Sequence, residues 1–102
     1  MAIELHEQVE MDVHRYKSYL LKATALDAKG DLQEAINAYE YVLWIKPDEQ
    51  ISMERLGALY LDVDRIDKAK EMLEKLIELR PNDPKLISKM EYVKARTKKS
   101  NQ

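Results

Sequence analysis

Apolar residues recur every three or four positions along almost the whole chain, which is the spacing of one face of an α-helix. The first such stripe extends from about Ile3 to Lys29 without an internal glycine or proline. Its members are Leu5, Val9, Val13, Tyr16, Tyr19, Leu20, Ala23 and Leu26. Gly30 follows the stripe and can adopt the left-handed conformation that ends many helices. The sequence therefore predicts a long first helix that ends at Lys29.

A second helix is predicted directly after the first. Asp31 is placed to cap it, and Pro47 stops it at about Ile45, because a residue before proline avoids the helical conformation. Its predicted apolar face consists of Leu32, Ala35, Ile36, Tyr39, Val42 and Leu43. Tyr41 and Trp44 lie on the opposite face and are expected to be exposed to solvent.

The same criteria predict three further helices. The third extends over residues 49–61 and the fourth over residues 66–78. Asp83 and Pro84 form a good pair for the capping position and first turn of a fifth helix. Residues 97–102 are polar and are expected to form a frayed tail.

The helices form an internal repeat. Aligning Pro47 with Pro81 gives an offset of 34 residues, and small or apolar residues then coincide. The coinciding pairs include Ala23 with Gly57, Leu26 with Tyr60, Ala35 with Ala69, Tyr39 with Leu73 and Val42 with Leu76. Such matches at helical spacing are what a repeated packing unit needs.

The second unit reads Met53-x2-Leu56-Gly57-x2-Tyr60, then Ala69-x3-Leu73-x2-Leu76 and Pro81. This pattern resembles the tetratricopeptide repeat at nearly every signature position. The first unit departs from it once, with Lys22 where an apolar residue is usual. The resemblance implies an all-α solenoid of antiparallel helix pairs, in which Gly57 and Ala69 let two helices approach closely.

The implied organisation has five parts. Residues 1–15 form an N-terminal helical extension, residues 16–49 and 50–83 form the two repeats, residues 84–96 form a capping helix, and residues 97–102 form the tail. The capping helix is expected because each repeat leaves an apolar face for its neighbour.

The resemblance also implies a function, since the first helix of each repeat in this family lines a concave groove that takes a peptide or a partner helix. Carried onto this sequence, the groove residues are Lys17, Leu20, Thr24, Ile51, Glu54, Arg55, Lys85, Lys89, Tyr92 and Arg96. Some family members hold a terminal carboxylate with a lysine and asparagine clamp. Lys85 and Lys89 match its last two positions, whereas Leu20, Thr24 and Arg55 depart from the others.

An alternative function is self-assembly or membership of a larger complex. If the first helix is continuous, the apolar residues Leu5, Val9 and Val13 overhang the repeat without a local partner, which favours a homodimer through this helix. Exposed tyrosine and tryptophan are enriched at interfaces, so Tyr41 and Trp44 are candidates for the same role. The alternative for the first helix is a break near residues 12–14, after which the N-terminal segment folds back onto the first repeat. The alternative for Tyr41 and Trp44 is that other parts of the same monomer cover them.

Composition and charge indicate which classes of partner, location and activity to expect. The net charge of −2 gives no bulk attraction to nucleic acid, and no apolar stretch approaches the ~20 residues of a spanning helix. Cysteine is absent, and the N-terminus shows no signal-peptide pattern, so a cytoplasmic location is expected. His6 and His14 are eight residues apart with Glu10 one turn from each, which is more typical of histidines on a helix face than of a metal site, and no residues form a catalytic constellation. We therefore expect no enzymatic activity, no cofactor, and a protein or peptide as the partner.

Overall fold

The computed structural model describes the backbone of residues 2–100 and the side chains of residues 14–97. It contains five helices, namely α1 (Ala2–Lys29), α2 (Leu32–Ile45), α3 (Gln50–Asp62), α4 (Ile66–Leu79) and α5 (Pro84–Ser100). No residue in the described backbone belongs to a strand. The prediction of an all-α fold is confirmed, and the limits of the first four helices agree with the predicted limits to within one residue.

The fifth helix is longer than predicted. It continues to Ser100, so the residues expected to form a tail after position 96 are helical as far as that residue. The hydroxyl of Thr97 donates a hydrogen bond to the Val93 carbonyl at 2.9 Å. The segment also contains no glycine or proline after Pro84, and nothing in it therefore interrupts the helix.

Helix α1 is continuous over 28 residues, or about 42 Å at 1.5 Å per residue. The alternative of a break near residues 12–14 is therefore wrong. The side chains of Leu5, Val9 and Val13 lie outside the described residues. Helix α2 has 14 residues, half the number in α1, and the two helices pack against each other.

Helix α1 ends as predicted at Gly30, which has a φ angle of +87°. The amide of Gly30 donates to the Asp27 carbonyl at 3.1 Å, and the amide of Asp31 donates to the Leu26 carbonyl at 3.0 Å. These two bonds define the Schellman ending of a helix. The predicted capping role of Asp31 is wrong: its side chain makes no capping hydrogen bond. Its ψ of 75° lies outside the extended range that capping residues usually adopt, and its carboxylate instead lies 3.5 Å from Nζ of Lys29.

Helix α3 ends in the same way without a glycine. Asp64 occupies the left-handed position with a φ of 61°, and its amide donates to the Leu61 carbonyl at 3.1 Å. The amide of Arg65 donates to the Tyr60 carbonyl at 2.7 Å. Asp64 is the repeat equivalent of Gly30, so the same turn is built from a less permissive residue.

Acidic side chains start α3 and α5. An Asp83 carboxylate oxygen accepts the Lys85 amide at 3.0 Å, as a capping residue does. The equivalent residue, Glu49, accepts the Ile51 amide at 3.1 Å and the Ser52 amide at 2.7 Å. The Ser52 hydroxyl also donates to Glu49 at 2.6 Å, which explains why both side chains can be buried.

The chain divides into two compact units, Met1–Ser52 and Met53–Gln102. The first has a described apolar core of Ala23, Ala35, Ile36, Ala38, Tyr39 and Val42. The second has a core of Met53, Leu56, Leu59, Tyr60, Ala69, Met72, Leu73, Leu76, Leu86, Met90 and Val93, and in it α4 packs against α5. The predicted repeat limits of 16–49 and 50–83 stay a prediction.

The close approach expected at Gly57 is present within the second unit. A Cβ atom added to Gly57 would lie 3.9 Å from Cβ of Met72, so α3 and α4 are in near contact here. That distance is an ordinary van der Waals contact, and the position therefore has room for a methyl group. The repeat equivalent, Ala23, is fully buried and carries such a methyl group.

Candidate functional site

An apolar pocket of about 260 Å³ opens in the second unit, and we call it the α5 pocket. It is lined by Glu54, Gly57, Ala58, Leu61, Leu73, Leu76, Leu86, Ser88, Lys89 and Tyr92. Three helices contribute, and four of the ten lining residues are leucines. Among the predicted groove residues, the structure brings Glu54, Lys89 and Tyr92 together here.

Two residues that line the α5 pocket differ from their equivalents in the first repeat. In the first unit Tyr39 is fully buried, and its hydroxyl lies 3.1 Å from a carboxylate oxygen of Asp27. In the second unit the equivalent residues are Leu73 and Leu61, which both line the α5 pocket. Leucine is shorter than tyrosine and has no hydroxyl, so the second unit lacks both the ring and the hydrogen bond that the first unit has at these positions.

The acidic residue of the pocket is neutralised by a neighbouring arginine. Glu54 accepts a hydrogen bond from Nη2 of Arg80, and Nη1 of Arg80 lies 3.4 Å from a carboxylate oxygen of Asp83. The hydrogen bond with Glu54 is the main reason that the pKa of Arg80 is raised above its ordinary value. Sequence reasoning missed Arg80. Its position before Pro81, equivalent to that of Lys46, was the available signal.

Lys89 is the cation among the lining residues, and Lys85 and Arg96 lie on the same helix, α5. Lys85 and Lys89 are exposed on α5, and neither forms an ion pair within the described side chains. Arg96 donates to Asp64 at 2.9 Å, and its guanidinium lies 5.9 Å from the centre of the Tyr92 ring. Tyr92 itself is 55% exposed. The α5 pocket is thus apolar inside and positively charged at one edge.

The other predicted groove residues are distributed over both units. Arg55 is exposed on α3 in the second unit. In the first unit Lys17 and Thr24 are exposed, Leu20 is half-buried, and Ile51 is 50% exposed.

The first unit carries a row of three aromatic rings, which we call the aromatic row. The Tyr19 and Tyr41 ring centres are 4.3 Å apart, and the Tyr41 and Trp44 ring centres are 5.9 Å apart. Trp44 is 78% exposed, as its place on α2 predicts. The same expectation is wrong for Tyr41, which is half-buried because Tyr19 of α1 covers part of its ring.

A second depression of about 390 Å³ adjoins this row, and we call it the first-repeat depression. It is lined by Tyr19, Lys22, Leu26, Glu34, Asn37, Ala38 and Tyr41. Its wall is mixed, with one cation, one anion and one amide among apolar groups. Lys22, the departure from the repeat pattern, is therefore exposed in a partly polar surface.

A search of the described residues found no cluster of three or more histidine, cysteine, aspartate or glutamate side chains that could hold a metal ion. Nor, over the same residues, is any helix both long enough and apolar enough to cross a bilayer. His6 lies outside the described side chains.

The paired helices, the small-residue contact at Gly57 and the repeated turns define a helical-repeat protein. A family model described as tetratricopeptide repeat matches residues 26–90, more than half of the chain. The chain therefore belongs to the tetratricopeptide-repeat family. Repeats of this family mediate protein–protein interactions and are typically non-catalytic. A comparison with curated proteins gave no match.

Proposed function

We propose that this protein is an adaptor-like or co-chaperone-like module whose second unit binds a short segment of a partner protein. An apolar side chain of the segment enters the α5 pocket, and an acidic group beside it lies near Lys89 and Lys85. The observation that carries the proposal is an open apolar pocket lined by Lys89, with Lys85 one helical turn away and neither lysine in an ion pair among the described side chains. A cytoplasmic location belongs to the same proposal.

The chemistry of the pocket favours this class of ligand. Leucine walls cannot satisfy a polar group, so a buried ligand group has to be apolar. The lysines favour a carboxylate in the adjoining residues, and Glu54 opposes it little because Arg80 neutralises its charge. The affinity should fall as salt is added, since exposed charges are screened.

The remaining groove residues are proposed as further contacts with a partner. Arg55 and Arg96 supply further cations within the second unit, and Lys17, Leu20, Thr24 and Ile51 form a mixed surface of the first unit that is proposed as a candidate contact by itself. The departures at Leu20, Thr24 and Arg55 leave a terminal-carboxylate clamp incomplete. We therefore propose recognition of an internal acidic and apolar segment.

Labelled peptides test the proposal directly. A fluorescein-labelled peptide with a central leucine flanked by aspartate and glutamate should bind the full chain, and a peptide with lysines at the flanking positions should not. Lys89→Glu combined with Lys85→Glu should weaken binding of the acidic peptide at least tenfold, or about 1.4 kcal/mol. Fluorescence anisotropy measures both.

Lys75→Glu is the matched control, because Lys75 is exposed on α4 and does not line the α5 pocket. Its change in net charge equals that of Lys89→Glu alone, which is the single variant to compare with it, and it should leave the affinity within about twofold. Equal binding of the acidic and basic peptides, or equal losses in the pocket and control variants, would refute the proposed site.

Self-assembly is the second candidate function, and we propose it for the first unit. Helix α1 has 28 residues and α2 has 14, so α2 alone is too short to cover α1 over its whole length. Trp44 is 78% exposed, far more than a large aromatic side chain usually is. The assembly residues are Leu5, Val9, Val13, Tyr41 and Trp44.

Sedimentation velocity on the full chain tests self-assembly. Val9→Asp and Trp44→Lys should each lower the sedimentation coefficient at a fixed concentration while circular dichroism remains helical. A monomer at every concentration up to hundreds of micromolar would exclude this candidate and leave the peptide-binding proposal untouched.

A further inference from the structure

The first-repeat depression occupies positions that are buried in the second repeat. Tyr19 is the equivalent of Met53, and Lys22 is the equivalent of Leu56. Met53 is 3% exposed and Leu56 is fully buried. Tyr19, by contrast, is only half-buried, and Lys22 is exposed. The same helix face is thus covered in one repeat and open in the other.

A repeat face of this kind normally packs against a neighbouring repeat, and a terminal face is normally polar. The first-repeat depression follows neither rule fully. Lys22, Glu34 and Asn37 make it partly polar, whereas the aromatic row at its edge ends in the exposed Trp44. Such a mixture is typical of a surface that is in water at one time and in an interface at another.

The charges in the depression point to the occupant. Lys22 on α1 and Glu34 on α2 line the same depression, and within the described side chains neither forms an ion pair. In a two-fold symmetric contact, each residue of one copy meets its complement on the other. A face with one unpaired cation and one unpaired anion is therefore complementary to itself.

We propose that a second copy of this chain docks on the first-repeat depression across a two-fold axis. Lys22 of each copy faces Glu34 of the other, and Tyr41 and Trp44 bury their exposed ring faces at the edge of the contact. This inference rests on the self-assembly candidate above and names its surface and its partner.

A charge-swap experiment tests the pairing. Lys22→Glu and Glu34→Lys should each weaken self-association at least tenfold, because each places two like-charge pairs in the dimer. An equimolar mixture of the two variants should recover dimer formation to within about threefold of the original protein, since both pairs become complementary again. Sedimentation equilibrium of the full-length proteins measures all three dissociation constants.

The controls separate assembly from folding. Both substituted positions are exposed, and recovery in the mixture requires that each variant is folded. Lys75 is an exposed residue of α4 and the repeat equivalent of Tyr41. The control variant Lys75→Glu should therefore not alter self-association.

The outcomes are distinguishable. Single variants that dissociate and a mixture that recovers establish the proposed pairing. Dimers that ignore both substitutions overturn the pairing but leave self-assembly standing. A chain that is strictly monomeric overturns both the pairing and self-assembly. A mixture of the two variants that stays monomeric overturns the pairing alone.

Discussion

The two repeats share their backbone turns and differ in how one interior position is filled. Both first helices end in the same pair of backbone hydrogen bonds, at Gly30 and at Asp64. In the first unit Tyr39 fills the interior and is hydrogen-bonded to Asp27. In the second unit Leu73 leaves the α5 pocket open. The second unit thus has leucine at both positions where the first has Tyr39 and Asp27, and both leucines line the α5 pocket.

The comparison shows that a repeat period specifies helix pairing far more strongly than it specifies surface chemistry. Small residues at Ala23, Gly57, Ala35 and Ala69 are buried or in close contact in both units. Positions around them vary in size and charge without changing the helices. Binding surfaces can therefore differ between neighbouring copies of one packing unit.

The largest effect is expected from making the first repeat resemble the second. Tyr39→Leu removes a fully buried ring and leaves Asp27 without its hydroxyl partner. We expect a loss of about 2–4 kcal/mol in the free energy of unfolding. Urea denaturation followed by circular dichroism measures it.

Tyr39→Phe is the matched control, because it keeps the ring and removes only the hydroxyl. Its cost should be about 1 kcal/mol. If Tyr39→Leu costs no more than Tyr39→Phe, the ring does not fill a space that leucine leaves open.

The second comparison concerns the helix ends. Gly30→Ala forces a Cβ into the left-handed region at a φ of +87° and should cost about 1–2 kcal/mol. Asp64→Gly relieves the same conformation but loses the exposed contact with Arg96, so we expect a gain below about 1 kcal/mol. Thermal unfolding measures the stability of both variants. A more stable Gly30→Ala or a less stable Asp64→Gly would contradict this account.

The smallest effect separates two aspartates that precede helices. Asp83→Ala removes the hydrogen bond to the Lys85 amide and should cost about 1 kcal/mol. Asp31 makes no capping bond, so Asp31→Ala should change the stability by less than about 0.5 kcal/mol. Equal losses in urea denaturation would mean that the side chain of Asp31 supports its helix after all.

Much of the fold follows from sequence periodicity, because helix limits are set locally. Gly30, Pro47 and Asp83 each act on the backbone within a turn of their own position, and their roles were predictable. The behaviour of Asp31 was not predictable in this way, because the turn that begins at Gly30 fixes the Asp31 backbone outside the capping conformation. The extent of α5 was also missed, since polar composition alone does not end a helix.

The candidate site was predictable only in part. The resemblance to the repeat family predicts Glu54, Lys89 and Tyr92 in one groove, and all three line the α5 pocket, whereas their role in binding stays a prediction. A repeat alignment shows that Leu73 replaces Tyr39, but it does not show that a pocket opens beside Leu73. The neutralisation of Glu54 by Arg80 joins residues 26 positions apart, which no local pattern reveals.

The most direct test fills the second repeat as the first is filled. Leu73→Tyr combined with Leu61→Asp introduces into the second repeat the equivalents of Tyr39 and Asp27. The control is Leu79→Tyr, at a residue of α4 that is 45% exposed. We predict that the double variant remains helical and unfolds cooperatively but binds the acidic, leucine-containing peptide at least tenfold more weakly, while the control binds normally. Unchanged affinity in the folded double variant would contradict the assignment of the α5 pocket as the binding site.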